Sequence, residues 1–487
     1  MPIFERAREL SVIHSTASVV GWDQETYLPP AATSHRALQI AWLSSRAHEL
    51  ATSADWKRDL EAAETADSGK DPKHTANLRE LRRDFDRAAK LPVELVARES
   101  AAVSLAKRAW ADARKHAEFA TFAPHLEKLL GIAREKAELW GYPGEPYDAL
   151  LEGYERRTST AAVAELFDVM KPALREIAAM AVAKSAARAA QLPPGPYPIG
   201  AQQCLNAQVA EAIGYDFQAG RIDTTAHPFC TTLGPRDVRL TTRYDENDFT
   251  SSLFGVLHEA GHGLYEQGLP VDDFGLPSGT AVSLGIHESQ SRLWENHVGR
   301  SRAFWNRWYP VAGEIFPQLA EFPLDDFIAC LQRAEFTPIR VESDEATYDL
   351  HIILRFGLER RMLNGELAVT DVPAAWNESF RELFGFTPQN DAMGCLQDIH
   401  WSMGGLGYFA TYTLGNINAA QLFAAALKDP AIAAATDAAD HAPLLAWLRE
   451  NIHAHGATLD PADLMKQATG KRPSTADYLA HLKQRYL

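Results

Sequence analysis

Cysteine is scarce and scattered in this chain: Cys204, Cys230, Cys330 and Cys395 lie far apart and form no C-x-x-C pair. That argues against a zinc ribbon and a secreted disulfide framework, and it fits a reducing, cytoplasmic compartment. Long apolar runs are missing too. A spanning helix needs roughly 20 uninterrupted apolar residues, and the Ala-rich "AAQLFAAALKDPAIAAATDAAD" is interrupted by Lys428, Asp429 and Pro430. The first residues, "MPIFERAREL", carry Glu5, Arg6, Arg8 and Glu9 where a secretion signal places its apolar stretch. Basic charge is in deficit, with 48 Lys and Arg against 64 Asp and Glu and a formal net charge of −16. A field of that sign repels phosphate backbones and anionic lipid, so neither nucleic acid nor a membrane is an expected partner.

Strand signals are few. The clearest is "RDVRLTTRY", Arg236 to Tyr244, where Val238, Leu240, Thr242 and Tyr244 alternate with polar residues. The preceding "RIDTTAHPFC" contains Pro228, which suits an edge or loop, so a small sheet is expected just here. What the chain has in abundance is helix. Its 487 residues are 46% hydrophobic, enough for a large core. From Pro2 to about Leu192 it reads as successive amphipathic helices, broken at "YLPPAATS", "TADSGKDPKH", "GYPGEPY" and "QLPPGPYPIG". The expected fold is all-α with a small β-sheet just before the histidine-bearing stretch 254–269, a single domain over 1–487 with two helical lobes.

Within "FGVLHEAGHGLYEQGL", His258 and His262 stand at i and i+4, which on a helix puts both imidazoles on one face, placed to share a divalent ion. In the H-E-x-x-H pattern the glutamate, here Glu259, takes a proton from the water that such an ion acidifies. On the pattern alone, two solvated or capped histidines remain an alternative. A metzincin continuation is excluded, because Tyr265 and Gly268 stand where its glycine and third histidine belong. Glu266, a further turn along the same helix, cannot converge on one tetrahedral ion. The third ligand therefore comes from beyond the loop "GLPVDDFGLPSGTAVSLG", and both Glu288 and Glu295 qualify.

Several separated segments resemble the carboxypeptidase Taq family of metallocarboxypeptidases. "HEAGH" is similar to its zinc-binding pattern, and "HES", His287 to Ser289, to the element whose glutamate is the third ligand. "DVRLT" (Asp237 to Thr241) resembles D-x-R-x-T, and "GCLQDIHW" (Gly394 to Trp401) resembles G-x-x-Q-D-x-H-W. "IRVESD" (Ile339 to Asp344) resembles I-R-x-x-A-D, with Ser343 in place of alanine. "WDQETYLPPAA", "PYDALLEGYE" and "TYDLHIILRF" extend the likeness over nearly the whole chain. The resemblance selects Glu288 as the third ligand. It implies an elongated helical body with a deep central groove, as in angiotensin-converting enzyme and thimet-type oligopeptidases. It also implies zinc, or alternatively cobalt, one ion per chain, broad carboxypeptidase action on peptides with proline disfavoured at the C-terminal position, and a homodimer.

A carboxypeptidase needs a cation to grip the terminal carboxylate, and the resemblance of "IRVESD" to the family element selects Arg340; the residues alone equally allow an ion pair with Asp344 at i+4 on one helix. Donors to the oxyanion are expected from Tyr408 and His400, with Tyr412 beside them and glycines in "GGLGYFATYTLG" allowing close approach. His227, in "AHPF", resembles a substrate-contacting pair in related helical peptidases, and a structural role is its alternative. Metal-bound imidazoles pass their second N–H to an acceptor. The position four after Glu288 is Arg292, which leaves Asp237 and Asp398 as the carboxylates for that role. Asp237 and Arg239 alternatively brace the groove wall. His287 is expected to point elsewhere, since consecutive helical residues diverge by about 100°. Two other functions use the same residues: an endo-acting oligopeptidase without a carboxylate anchor, and a scaffold whose metal is structural.

Overall fold

Twenty α-helices and three short strands make up most of the regular structure among residues 2–188 and 190–487, which the computed structural model describes. The N-terminal breaks fall where proline and glycine end helices. Helix Pro2–Thr26 stops before Pro29 and Pro30, and helices Ala54–Ala66, Phe119–Trp140 and Thr160–Ala187 end at or near the other three interruptions. No helix among the described residues is long and apolar enough to cross a membrane.

The chain gathers into two compact units. The first comprises Met1–Ala88, Gln191–Ile328 and Asn418–Arg472. It holds the sheet, in the order β1 (Gly220–Thr224), β3 (Asp237–Thr242), β2 (Cys230–Gly234). β3 is central, parallel to β1 and antiparallel to β2, so that Ile222, Leu240 and Cys230 share a register. It is shorter than the expected 236–244 strand because Pro235 and Arg236 form the hairpin turn, Arg236 with φ 60°. Val238 and Leu240 are buried as the alternation requires. The segment "WDQETY" docks on this sheet: Tyr27 donates to Asp223 at 2.6 Å, and the Arg239 guanidinium lies 4.3 Å from the Trp22 ring centre.

After β3 the chain turns into helix Phe249–Gly268, whose N-cap Asp248 accepts from the Thr250 backbone N–H at 2.9 Å. This helix lies against the sheet. A Cβ on Gly263 would stand 3.0 Å from Leu240 Cδ2, and Leu253, Val256, Leu257, Ala260 and Leu264 are fully buried. The loop then makes two 3-10 turns and enters helix Leu284–Arg292, capped by Ser283 Oγ on the Ile286 N–H.

The second unit comprises Ala89–Ala190, Ala329–Ile417 and Pro473–Leu487. Phe356 of helix Glu345–Leu363 packs edge-on against Tyr147 and Phe167 at 5.2 and 5.0 Å. Farther along that helix, Glu359 accepts from Trp401 Nε1 (2.8 Å), Tyr147 (3.1 Å) and the Gly407 N–H (3.1 Å), pinning the irregular stretch that carries His400 and Tyr408. Gly407, at φ +90°, permits this: a Cβ there would crowd the Leu150 backbone at 3.1 Å.

Candidate metal centre

Helix periodicity places the two imidazoles one turn apart, and the crossing helix supplies the carboxylate. Glu288 Oε2 lies 3.8 Å from His258 Nε2 and 3.6 Å from His262 Nε2. Those spacings are too long for hydrogen bonds. They suit donors at about 2.1 Å from a shared tetrahedral centre, which stand about 3.4 Å apart. The three donor atoms cluster within 4.8 Å of one another, so two nitrogens and one oxygen would fit a divalent ion.

The crossing is close because position 261 has no side chain. A Cβ on Gly261 would stand 2.6 Å from both the Gln290 carbonyl oxygen and the Ser291 Cα. The glycine inside H-E-A-G-H thus allows the second helix to bring Glu288 within reach.

Both imidazoles are held from behind. His258 donates from Nδ1 to Glu295 Oε2 at 2.8 Å, and the His287 carbonyl accepts from His262 Nδ1 at 3.1 Å. With Nδ1 as donor, each Nε2 keeps the lone pair a metal needs. Glu295 is therefore the carboxylate behind His258, and the expected Asp237 and Asp398 are not. Asp237 is bound by Arg239 at 2.8 and 2.9 Å, while Asp398 is bound by Arg340 and Arg355. The signal lay in the spacing: residues seven apart on a helix share a face, so Glu288 and Glu295 both look toward the histidines. A π-helical stretch, Leu293–Val298, follows the first of them; such turns recur at functional sites. Arg292 braces both carboxylates, Glu288 Oε1 at 2.7 Å and Glu295 Oε2 at 3.3 Å. Its occurrence four residues after Glu288 is explained by this double contact.

His287 does not point away from the site, as its helical angle had suggested. Its ring packs on that of His262 with centroids 4.5 Å apart, and its Nδ1 lies 2.6 Å from His262 Nδ1. It is turned toward the Nδ1 side of His262 and is not one of the three donors.

Burial and neighbouring charges shift three groups of the site. Burial, opposed by His258 and His287 and reinforced by Glu288 and Glu295, pushes the Glu259 carboxyl up to about 7, where it can both take and return a proton. Burial would lower His258, but Glu288 and Glu295 outweigh it and raise it to about 8. Burial would raise Glu295, but Arg292, His258 and Arg300 hold it down to about 2.

In the second unit, Arg340 opens a 3-10 turn, Arg340–Glu342, and Asp344 instead caps the next helix through the Ala346 N–H at 2.9 Å. The alternative i+4 pair with Asp344 does not form, because no helix joins the two residues. Arg340 is 5% exposed and directs Nε and Nη2 to Asp398 Oδ1 at 3.1 and 2.7 Å and Nη1 to the Tyr348 hydroxyl at 2.7 Å. Arg355 Nε takes the other Asp398 oxygen at 2.7 Å. Four of the residues chosen from the sequence meet here. Tyr412 lies 5.0 Å beneath the Arg340 guanidinium, His400 Nε2 is 3.3 Å from the Tyr412 hydroxyl, and Tyr408 packs on His400 and Tyr412 at 5.3 Å each. Burial pushes His400 down to about 4, so it is neutral at pH 7, and its buried Nδ1 has no hydrogen-bond partner among the described residues. His227 is exposed in the bend between β1 and β2.

Known proteins resemble this chain over nearly its whole length. The family model "Carboxypeptidase Taq (M32) metallopeptidase" matches residues 3–486. Thermostable carboxypeptidase 1 of Thermus thermophilus is 40% identical over 99% of this chain and 97% of its own. Carboxypeptidase 1 of Bacillus subtilis is 35% identical over 99% and 97%. Among solved structures, the M32 carboxypeptidase from Deinococcus radiodurans R1 superposes with a TM-score of 0.95 at 37% identity, covering 100% of this chain and 98% of that one. Trypanosoma cruzi metallocarboxypeptidase 1 gives a TM-score of 0.96 at 34% identity, with coverage of 100% and 98%. On this match the chain belongs to the carboxypeptidase Taq (M32) family of metallopeptidases.

Proposed function

We propose that this peptide hydrolase releases single C-terminal amino acids from peptides, using an ion held by His258, His262 and Glu288 and Glu259 as general base. The observation that carries the reading is the convergence of three donor atoms beside a glutamate whose affinity for protons is tuned near neutrality. When bound, a divalent ion polarises the scissile carbonyl and acidifies the attacking water. Glu259 takes the water's proton and hands it to the leaving amine. Zinc is the expected ion, with cobalt an alternative, because two imidazoles and one carboxylate suit both.

We assign the C-terminal carboxylate to Arg340. Two guanidinium groups, Arg340 and Arg355, share the single Asp398 carboxylate, and Glu359, pushed up to about 7 by burial, offsets the surplus only in part. An incoming carboxylate would neutralise what is left. Tyr408 and His400 are assigned as oxyanion donors, with the unpartnered His400 Nδ1 supporting a ligand there, and Tyr412 and His227 as substrate contacts. One family model over residues 3–486 supports reading the chain as one metallopeptidase domain. Four free cysteines suit a cytoplasmic location, and a homodimer is inferred from the family resemblance.

Mass spectrometry of an unmodified peptide and its C-terminal amide tests this. Stepwise loss of single residues from the free carboxyl end, abolished by chelator and by amidation, is the expected result. Equal cleavage of the amide, at internal bonds, would establish an endo-acting oligopeptidase instead. Absence of chelator-sensitive hydrolysis in metal-loaded protein would leave only the scaffold.

A further inference from the structure

His287 and Glu266 lie outside the three-donor cluster, yet they are joined to it atom by atom. His262 turns Nε2 to the cluster and Nδ1 toward His287, whose Nδ1 is 2.6 Å away. The other His287 nitrogen, Nε2, stands 2.9 Å from Glu266 Oε1, and Glu266 Oε2 accepts from the Thr232 hydroxyl at 2.7 Å.

The proton positions follow. If His262 is neutral and keeps the Nε2 lone pair for a metal, its proton is on Nδ1. The His287 carbonyl shares that proton at 3.1 Å, and the His287 ring must present an unprotonated Nδ1 to it as well, because two N–H groups cannot face each other at 2.6 Å. That puts the His287 proton on Nε2, where Glu266 accepts it. Every donor in the line finds an acceptor, and the line ends in a carboxylate.

The fold builds this line from three elements. Glu266 is one helical turn beyond His262, on the same face, too far along to reach the ion itself. Thr232 comes from β2, beside the register shift between Thr232 and Gly234. The His287 ring is held between those of His262 and Tyr265, with centroids at 4.5 and 5.4 Å. Glu266 and Thr232 also border a cavity of about 360 Å³, so replacing Glu266 does not force a new group into packed core.

We propose that Glu266 and His287 are positioning residues that hold His262 in the tautomer and ring orientation required for metal ligation, with Thr232 fixing Glu266. This rests on the metal reading of His258, His262 and Glu288.

The test uses full-length protein with Co²⁺ and Zn²⁺, comparing the unsubstituted chain with Glu266→Leu, Glu266→Gln and His287→Phe. Metal affinity is measured by chelator competition, the visible spectrum of the Co²⁺ form reports ligand geometry, and circular dichroism checks folding. Glu266→Leu should weaken metal binding roughly tenfold to a hundredfold and alter the Co²⁺ spectrum, with turnover recovered in excess metal. Glu266→Gln should fall less far, since its amide oxygen still accepts from His287. His287→Phe keeps a ring between His262 and Tyr265, so it serves if Glu266→Leu does not fold, and it too should weaken binding. Folded variants with unchanged affinity and spectrum overturn the relay while leaving the metal centre standing. Failure of the unsubstituted chain to bind Co²⁺ or Zn²⁺ overturns the metal reading, and the relay with it.

Discussion

Gly261 and Gln290 meet where the two helices that bear the candidate ligands cross, with a virtual Cβ on Gly261 only 2.6 Å from the Gln290 carbonyl oxygen. Backbone, unlike the tip of a flexible side chain, cannot step aside cheaply. Gly261→Ala should therefore push helix Leu284–Arg292 outward, costing about 1–3 kcal/mol in stability as overpacking does. Glu288 moves with that helix, so metal affinity should drop as well. Thermal melts and chelator competition check both effects; an unaffected metal affinity would mean that the crossing distance does not set Glu288.

Glu259 is buried beside the cluster, 7% exposed, but is not one of its three donors. Glu259→Gln keeps the shape and removes the base. Turnover should fall by about 10²- to 10⁴-fold while bound metal, measured by mass spectrometry or atomic absorption, stays at the unsubstituted level.

Glu295 is the acceptor behind His258 at 2.8 Å. Glu295→Leu should lower metal affinity by roughly 10- to 100-fold, and the smaller loss in Glu295→Gln should show that the accepted hydrogen bond matters beyond the charge. A variant series in which Leu and Gln behave alike would place the effect on charge alone.

Asp398 sits between two buried guanidinium groups. Burial would raise its pKa, but Arg355 and Arg340 outweigh that and hold the carboxyl well below the ordinary range. A carboxylate whose folded pKa is depressed adds stability above its unfolded value, about 3.9, and loses it as pH falls through the folded one. Asp398→Asn should cost about 3–5 kcal/mol near neutrality, because two buried cations lose their partner. The gap between the variant and the unsubstituted chain should narrow as pH drops below about 4. Denaturant titrations at several pH values measure this.

Much was legible in residue order alone. Helical spacing put His258 and His262 on one face, the proline and glycine breaks marked the ends of the N-terminal helices, and the alternation of Val238, Leu240 and Thr242 identified the central strand. All are local, set by the 3.6- and 2-residue periods of the backbone. Glu288 was different, because Glu295 satisfied the same local rules and only family likeness separated them. The structure gives both a place, one at the Nε2 side of the imidazoles and one behind His258.

The amino-acid order determined which side chains were available and which faces of which helices carried them. Tertiary structure decided their partners: Glu295 rather than an aspartate behind His258, Asp398 rather than Asp344 for Arg340, and a ring contact for His287 that its own helix did not foretell. The physical reason is that a hydrogen bond or ion pair depends on distances of a few ångströms between segments far apart in the chain. Those distances depend on how closely helices cross, as at Gly261, and on where a capped turn or a π-helical stretch redirects the backbone.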